Sequence, residues 1–148
     1  MSIRSIRKVP KYFKLLMTGL SNIDMEIAGR YAERQGLAFG TFTELSQLAP
    51  VRRAIAEAVA RVNTHVDPGA RIAAFANLPK ELDADEEELT RSRKLRRGAI
   101  EAKYAMLIDG LYGQADSVNC EIEITYQDGR HSRLKAEVHM NRIPEAGQ

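Results

Sequence analysis

Five basic residues fall within a seven-residue stretch that directly follows a group of acids. They are Arg91, Arg93, Lys94, Arg96 and Arg97. If this stretch were helical, neighbouring acids on one helix face could not pair with all five bases. Arginine forks bind phosphate oxygens, and a lysine supplies a mobile positive charge that can neutralise charge developing during a reaction. The run therefore indicates either a solvated surface patch or a site that binds phosphate.

Three other groups of residues could in principle do chemistry, and each has a simpler interpretation. The acids Asp83, Asp85, Glu86, Glu87 and Glu88 lack the glycine and the alternating ligands of a calcium loop, which favours a solvated acidic turn. The histidines His65, His131 and His139 lack the spacing of zinc ligands. The single cysteine, Cys120, lies on the apolar face of a predicted strand and is expected to fill the core. We therefore expect no metal ligand in this chain.

The composition is that of a globular protein with one domain. The chain has 148 residues, of which 44% are hydrophobic and 28% are charged. A net charge of +2 is too small to indicate a nucleic-acid-binding protein, and no aromatic residues are interleaved with the basic run. No apolar stretch approaches the about 20 residues of a membrane-spanning helix. One cysteine suits a reducing compartment, so we predict a cytoplasmic protein without a transmembrane segment.

Apolar spacing and capping residues predict about four helices. The first spans residues 24–35, with Ile23, Ile27, Ala28, Tyr31 and Ala32 on its apolar face. Asp24 is the expected N-cap, and Gly36 is expected in the left-handed conformation at the end. The spacing of Thr41 and Glu44 is typical of a capping box at the start of a helix over residues 42–48.

Two longer helices follow. Pro50 opens a helix that ends at Asn63, with an apolar stripe formed by Val51, Ala54, Ile55, Ala58, Val59 and Val62. Residues 97–112 form the other, with a stripe of Ile100, Tyr104, Leu107, Ile108 and Leu111. Residues 79–96, which include the basic run, are expected to be mostly irregular.

Strands are predicted at residues 72–78 and in a C-terminal hairpin. Two alternating segments flank Gln127, Asp128 and Gly129. A three-residue loop places Gly129 at a left-handed position and pairs Ile122 with Leu134, which keeps both apolar rows on one face. The expected fold is α+β, a small, largely antiparallel sheet with a C-terminal hairpin, covered on one face by about four helices.

The stretch ELTRSRKLRRGAIEAKYAMLIDGLY resembles a motif near the C-terminus of AMP-forming long-chain fatty-acyl-CoA synthetases, members of the adenylate-forming superfamily. The matching positions are Glu88-Leu89-Thr90, Ser92, Lys94, Arg96-Arg97, Lys103-Tyr104 and Leu111-Tyr112. The similarity covers about residues 22–140, including the terminal hairpin EITYQDGR. The resemblance implies that Lys94 is the lysine that serves adenylation, and that Thr90 and Ser92 shape the turn that aims it.

The resemblance also implies a reaction. A fatty acid attacks the α-phosphate of ATP to give an acyl-adenylate and pyrophosphate, and the thiol of CoA then displaces AMP. ATP, Mg²⁺ and CoA are thus cofactors and substrates of the full-length family. The family's lysine reaches the phosphate and the carboxylate in the first half-reaction, and Lys94 is the catalytic residue expected here.

The sequence departs from the family in length and in its missing motifs. The ATP loop, the adenine pocket, the magnesium-binding glutamate and the acyl tunnel of the family's large N-terminal domain are absent from these residues. We expect a basic segment of separate origin at residues 1–21, a partial synthetase-like domain at residues 22–143 and a tail at residues 144–148. The chain is expected to be either a domain that awaits a partner subunit or a relic without activity. Alone, it is expected to be inactive and to bind none of the cofactors tightly. Possible partners are a large ATP-binding subunit or domain and further copies of this chain.

An alternative is a non-catalytic interaction module that binds phosphate, nucleic acid or a membrane surface through residues 4–14 and 91–97. For a membrane surface, Ile3, Ile6, Tyr12, Phe13 and Leu16 would insert while the bases contact lipid phosphates. Pro10 interrupts any continuous helix in that segment, which disfavours the membrane version.

Overall fold

A computed structural model describes residues 2–8, 17–83, 86–126 and 128–144, with only the backbone described at residues 2–8 and Met17. The elements, in chain order, are β1 (Ser2–Lys8), β2 (Met17–Asn22), α1 (Met25–Arg34), α2 (Phe42–Gln47), α3 (Ala49–Asn63), a 3-10 turn (Pro68–Ala70), β3 (Ile72–Asn77), α4 (Arg97–Lys103), α5 (Ala105–Tyr112), β4 (Ser117–Thr125) and β5 (His131–Arg142). The α+β class predicted from the sequence is confirmed.

The strands form one five-stranded sheet in the order β1-β2-β3-β5-β4. Three of the four pairings are antiparallel, and β2 with β3 is the parallel one. The sheet is therefore mixed but largely antiparallel, as predicted. Strand β3 lies in the middle, which explains why residues 74–77 are all buried.

Helices cover both faces of this sheet, so the prediction that they cover only one face is wrong. Alternate side chains of a strand point to opposite faces. Phe75 packs with α1, α2 and α3 in one apolar cluster, whereas Ala74 and Ala76 pack with α4 and α5 in another. Because β3 is apolar on both faces, it requires a cover on each of them.

The hairpin and the helix caps agree with the predictions. Ile122 lies opposite Leu134, and Gly129 has a φ of 84°. The N–H of Tyr126 donates to the carbonyl of Arg130, which closes a loop of three residues; its first residue, Gln127, lies outside the described residues. The Asp24 carboxylate accepts from the N–H of Ile27, and Thr41 caps α2 by accepting from the N–H of Glu44.

Two details of the helices differ from the predictions. Ile27 and Val62 were assigned to apolar stripes but are 56% and 57% exposed, since each lies at the margin of its stripe. The helix predicted over residues 97–112 is interrupted at Tyr104, which separates α4 from α5.

The N-terminal residues that the structure describes belong to the same sheet as the rest. Residues 17–21, which were assigned to a separate basic segment, form most of β2, with Leu20 and Ser21 buried. Residues 9–16 and 145–148 lie outside the described residues, so the predicted surface contacts of Tyr12, Phe13 and Leu16 do too. Among the described helices, none has the length and apolar character needed to cross a membrane.

Candidate functional site

The basic run occupies a tight turn between Glu88 and Arg96. Leu89 and Leu95 form an antiparallel bridge at its base. On the turn side of the bridge, the N–H of Thr90 donates to the carbonyl of Lys94 at 2.8 Å. On the other side, the N–H of Arg96 donates to the carbonyl of Glu88 at 3.0 Å. One backbone hydrogen bond on each side of the bridge thus holds the turn together.

Two hydroxyl groups shape the inside of the turn. Thr90 Oγ1 accepts from the N–H of Lys94 at 3.0 Å, and it lies 3.1 Å from Ser92 Oγ. Arg93 adopts a positive φ of 61°, which reverses the chain just before Lys94. The turn-shaping contacts expected for Thr90 and Ser92 are therefore present.

Lys94 is exposed, and its ammonium has no hydrogen bond or ion pair to any residue of the described ranges. Arg91, Arg93 and Arg97 are exposed as well. Within the described residues, the ion pair of this run joins Arg96 to Glu87 at 3.8 Å, between two largely exposed side chains. Such a pair is weak in water. The turn consequently presents positive charge that its own neighbours leave almost uncompensated.

A buried ionic network lies directly beneath this turn. Glu88 is 1% exposed, and its carboxylate accepts from Lys80 Nζ, from the Tyr104 hydroxyl at 3.0 Å and from the N–H of Asp83 at 3.1 Å. Glu86 accepts from Lys103 Nζ and lies 3.1 Å from Lys80 Nζ. Two carboxylates and two ammonium groups therefore neutralise one another inside the protein.

The network shifts the titration of two of its members in opposite directions. Burial by itself raises the pKa of Glu86, but the hydrogen bonds and charges of Lys103 and Lys80 outweigh burial and hold that pKa below its ordinary value. Burial raises the pKa of Tyr104, and the charge of Glu88 raises it further. Glu86 is thus an anion and Tyr104 a neutral hydrogen-bond donor at physiological pH.

The prediction of a solvated acidic turn is wrong for Glu86 and Glu88. It is right for Glu87, which is exposed, whereas Asp85 lies outside the described residues. Reasoning from the sequence missed Lys80 as a partner, because the seven residues between Lys80 and Glu88 contain no periodic pattern. The adjacent Lys103 and Tyr104 of the synthetase-like motif, which contact Glu86 and Glu88, were the one feature of the sequence that pointed to the network.

The other candidate residues stay apart from this site. Cys120 is buried, and burial raises the pKa of its thiol, as befits a core residue. His131 lies on the exposed hairpin, 3.2 Å from Glu123. Within the ranges described, no group of His, Cys, Asp or Glu side chains is arranged to hold a metal ion.

The site therefore consists of an exposed cationic turn fixed upon a buried, neutralised network. Comparisons of this chain with protein-family models, with curated proteins and with solved structures found no match.

Proposed function

We propose that this chain is the C-terminal portion of an AMP-forming long-chain fatty acid–CoA ligase. In this proposal Lys94 serves adenylation on an ATP- and acyl-binding body that another domain or subunit supplies. The observation that carries the proposal is the exposed ammonium of Lys94, held on a fixed turn without a counter-ion among the described residues.

The chemistry of adenylation requires such a group. A carboxylate approaches the α-phosphate, so two anions must come together in the transition state. An ammonium that is already paired with a carboxylate has little charge left to offer, whereas a free one can stabilise the developing charge. A turn fixed by backbone hydrogen bonds limits where that ammonium can go, which favours a productive geometry.

The roles of the motif residues in the fold support the proposal. Glu88, Leu89 and Tyr104 are buried and anchor the turn, Thr90 shapes it, and Lys94 is presented to solvent. A run of bases that served only solubility would not need a buried ionic network beneath it. The residues that resemble the synthetase motif thus form one contiguous unit around Lys94.

The cofactors implied by the resemblance are ATP, Mg²⁺ and CoA. Glu86 and Glu88 are unsuited to Mg²⁺ because Lys80 and Lys103 already neutralise them, and the described residues offer no other acidic cluster. In the proposal the metal and the nucleotide are therefore held by the other body, and this chain contributes the ammonium.

A pull-down followed by reconstitution tests the proposal. We expect the tagged chain to capture a large ATP-binding protein from a lysate of its source cells. We expect that protein to form acyl-CoA from palmitate, ATP and CoA only when this chain is added. The pure chain by itself should give no acyl-CoA.

The matched variants for this assay are Lys94→Ala and Arg91→Ala, which remove neighbouring exposed charges from one turn. The first should abolish the stimulation, and the second should leave most of it. Equal activity of the wild-type and Lys94→Ala chains, or acyl-CoA formation by the pure chain, would contradict the proposal.

A second candidate function is a module that binds an anionic partner. The exposure of Arg91, Arg93, Lys94 and Arg97 supports it, since these charges lack partners within the described residues. Binding through such charges weakens steeply as salt rises. Salt-dependent retention on anionic vesicles or on nucleic acid, with no effect of this chain on any ligase, would favour this candidate.

A further inference from the structure

A cleft of ≈310 Å³ lies between the start of α3 and the end of β5. None of the described residues that line it belongs to the basic run. The cleft lies beside the C-terminal end of β5, which extends beyond β4. Strand β4 begins at Ser117 opposite His139, so Asn141 and Arg142 have a paired strand on the β3 side alone. The first turn of α3 borders this gap.

The charged residues that line the cleft are all arginines, namely Arg52, Arg53 and Arg142. No described residue in its lining carries a carboxylate. A larger depression of ≈450 Å³ on the hairpin differs in this respect, because Glu121 and Glu137 line it together with Lys135. Of these two depressions, the cleft at α3 is therefore the one whose charged lining residues all have the same sign.

Arg52 is fixed in place by neutral oxygen atoms. Its Nε donates to the carbonyl of Gln47 at 3.0 Å, and its Nη1 donates to Asn141 Oδ1 at 3.0 Å. These contacts use two of the five N–H groups of the guanidinium and cancel none of its charge. An arginine held in this way loses little conformational freedom when an anion binds.

Arg142 is held by neutral oxygens too, since it donates to the carbonyls of Leu111 and Ala115 at 2.7 and 3.0 Å. Arg53 is exposed and has no hydrogen-bond or ion-pair partner in the described part of the chain. Burial lowers the pKa of Arg52, and the like charge of Arg53 lowers it further, as expected where acids are lacking.

The first turn of α3 adds to the positive potential. Its N-cap, Leu48, makes no side-chain hydrogen bond to the helix, and Ala49, the first residue of this 15-residue helix, lines the cleft, so the positive end of the helix dipole lies beside it. Two arginines beside that turn supply the forked donors that match phosphate oxygens.

We propose that this cleft binds a phosphate group through Arg52 and Arg53, at a site separate from Lys94. The ligand is inorganic phosphate or a small phosphomonoester, because a cleft of this size accommodates a phosphate group with a short substituent.

A titration followed by NMR tests this proposal residue by residue. Inorganic phosphate and glycerol phosphate are added separately to the ¹⁵N-labelled full chain at constant ionic strength. We expect saturable shifts at the backbone amides of residues 51–53 and 140–142 and at Arg52 Nε. A lower Kd for glycerol phosphate would identify a phosphomonoester as the ligand class, and an equal or higher Kd would identify free phosphate.

The matched variants are Arg53→Gln and Arg61→Gln, which remove one exposed arginine each from α3. A charge-assisted hydrogen bond is strong enough that Arg53→Gln should raise the Kd at least about ten-fold. Arg61, in the last turn of α3, does not line the cleft, so Arg61→Gln should change the Kd by less than about two-fold. Lys94→Ala should leave the cleft shifts unchanged. Shifts that fail to saturate, or an equal loss in both arginine variants, would overturn the proposal.

Discussion

Two adjacent segments of this protein, residues 86–88 and residues 91–97, are both dense in charge but are treated in opposite ways by the fold. Two of the three acids in the first segment are almost completely buried and are paired with lysines distant in sequence. The bases of the second segment are exposed, and in the described part of the chain Arg96 is the one among them that lies near an acid, Glu87 at 3.8 Å. The acids and bases that are neighbours in sequence therefore form few ion pairs with one another.

This difference shows what the acids contribute. Had Glu86 and Glu88 paired with the arginines that follow them, the basic turn would have been neutralised. By pairing with Lys80 and Lys103 instead, they fix the base of the turn and leave its charge available. The buried segment thus acts on stability, and the exposed segment acts on binding or chemistry. The predictions below separate these two roles.

The largest effect on stability is expected for Glu88→Ala. This variant leaves Lys80 buried with only part of its compensation, and breaking a buried ion pair costs about 3–5 kcal/mol. Urea denaturation gives the free energy of unfolding. Glu87→Ala is the control, because Glu87 is exposed and its removal should change that free energy by less than about 0.5 kcal/mol. Equal losses in the two variants would remove the distinction between buried and exposed acids.

A smaller loss is expected for Tyr104→Phe. The variant keeps the ring but removes the hydroxyl that donates to Glu88 Oε2, and the loss of a buried hydrogen bond to a carboxylate costs about 1–3 kcal/mol. Tyr126→Phe is the control, since Tyr126 is 47% exposed on the hairpin. Urea denaturation of the two variants should show a loss for the first and none for the second.

The acid sensitivity of the fold should depend on Glu86. The pKa of Glu86 is lowered in the folded protein, so its contribution to stability is present above the ordinary carboxyl pKa of about 4.3 and is lost as the pH falls through the lowered value. Glu86→Gln should therefore flatten the dependence of the unfolding free energy on pH in this acidic window. Unchanged slopes below about pH 4.3 would show that Glu86 is not stabilised as an anion.

The smallest effect on stability is expected for Lys94→Ala. Because Lys94 is exposed and its ammonium has no partner within the described ranges, the free energy of unfolding should change by less than about 0.5 kcal/mol. Thermal unfolding followed by circular dichroism checks this. A loss comparable to that of Tyr104→Phe would mean that Lys94 supports the fold.

Local patterns in the sequence predicted the hairpin and the caps of α1 and α2. Each of these depends on residues close together in the chain, such as Asp24 with Ile27 or Gly129 in its three-residue loop. The second layer of helices and the position of β2 between β1 and β3 were not predicted, because they depend on which strands become neighbours. The pairing of Lys80 with Glu88 was missed because no local pattern marks it, and burial makes an apparently solvated acid part of the core.

The most direct test of the proposed role of Lys94 compares the two half-reactions in the ligase reconstituted with this chain. Adenylation is measured by pyrophosphate exchange. Thioester formation is measured separately, starting from supplied acyl-adenylate and CoA. The account predicts that Lys94→Ala slows adenylation about 100- to 1,000-fold, as the loss of one transition-state contact does, and leaves thioester formation unchanged. An adenylation rate equal to that of the wild type, or an equal loss in both half-reactions, would contradict it.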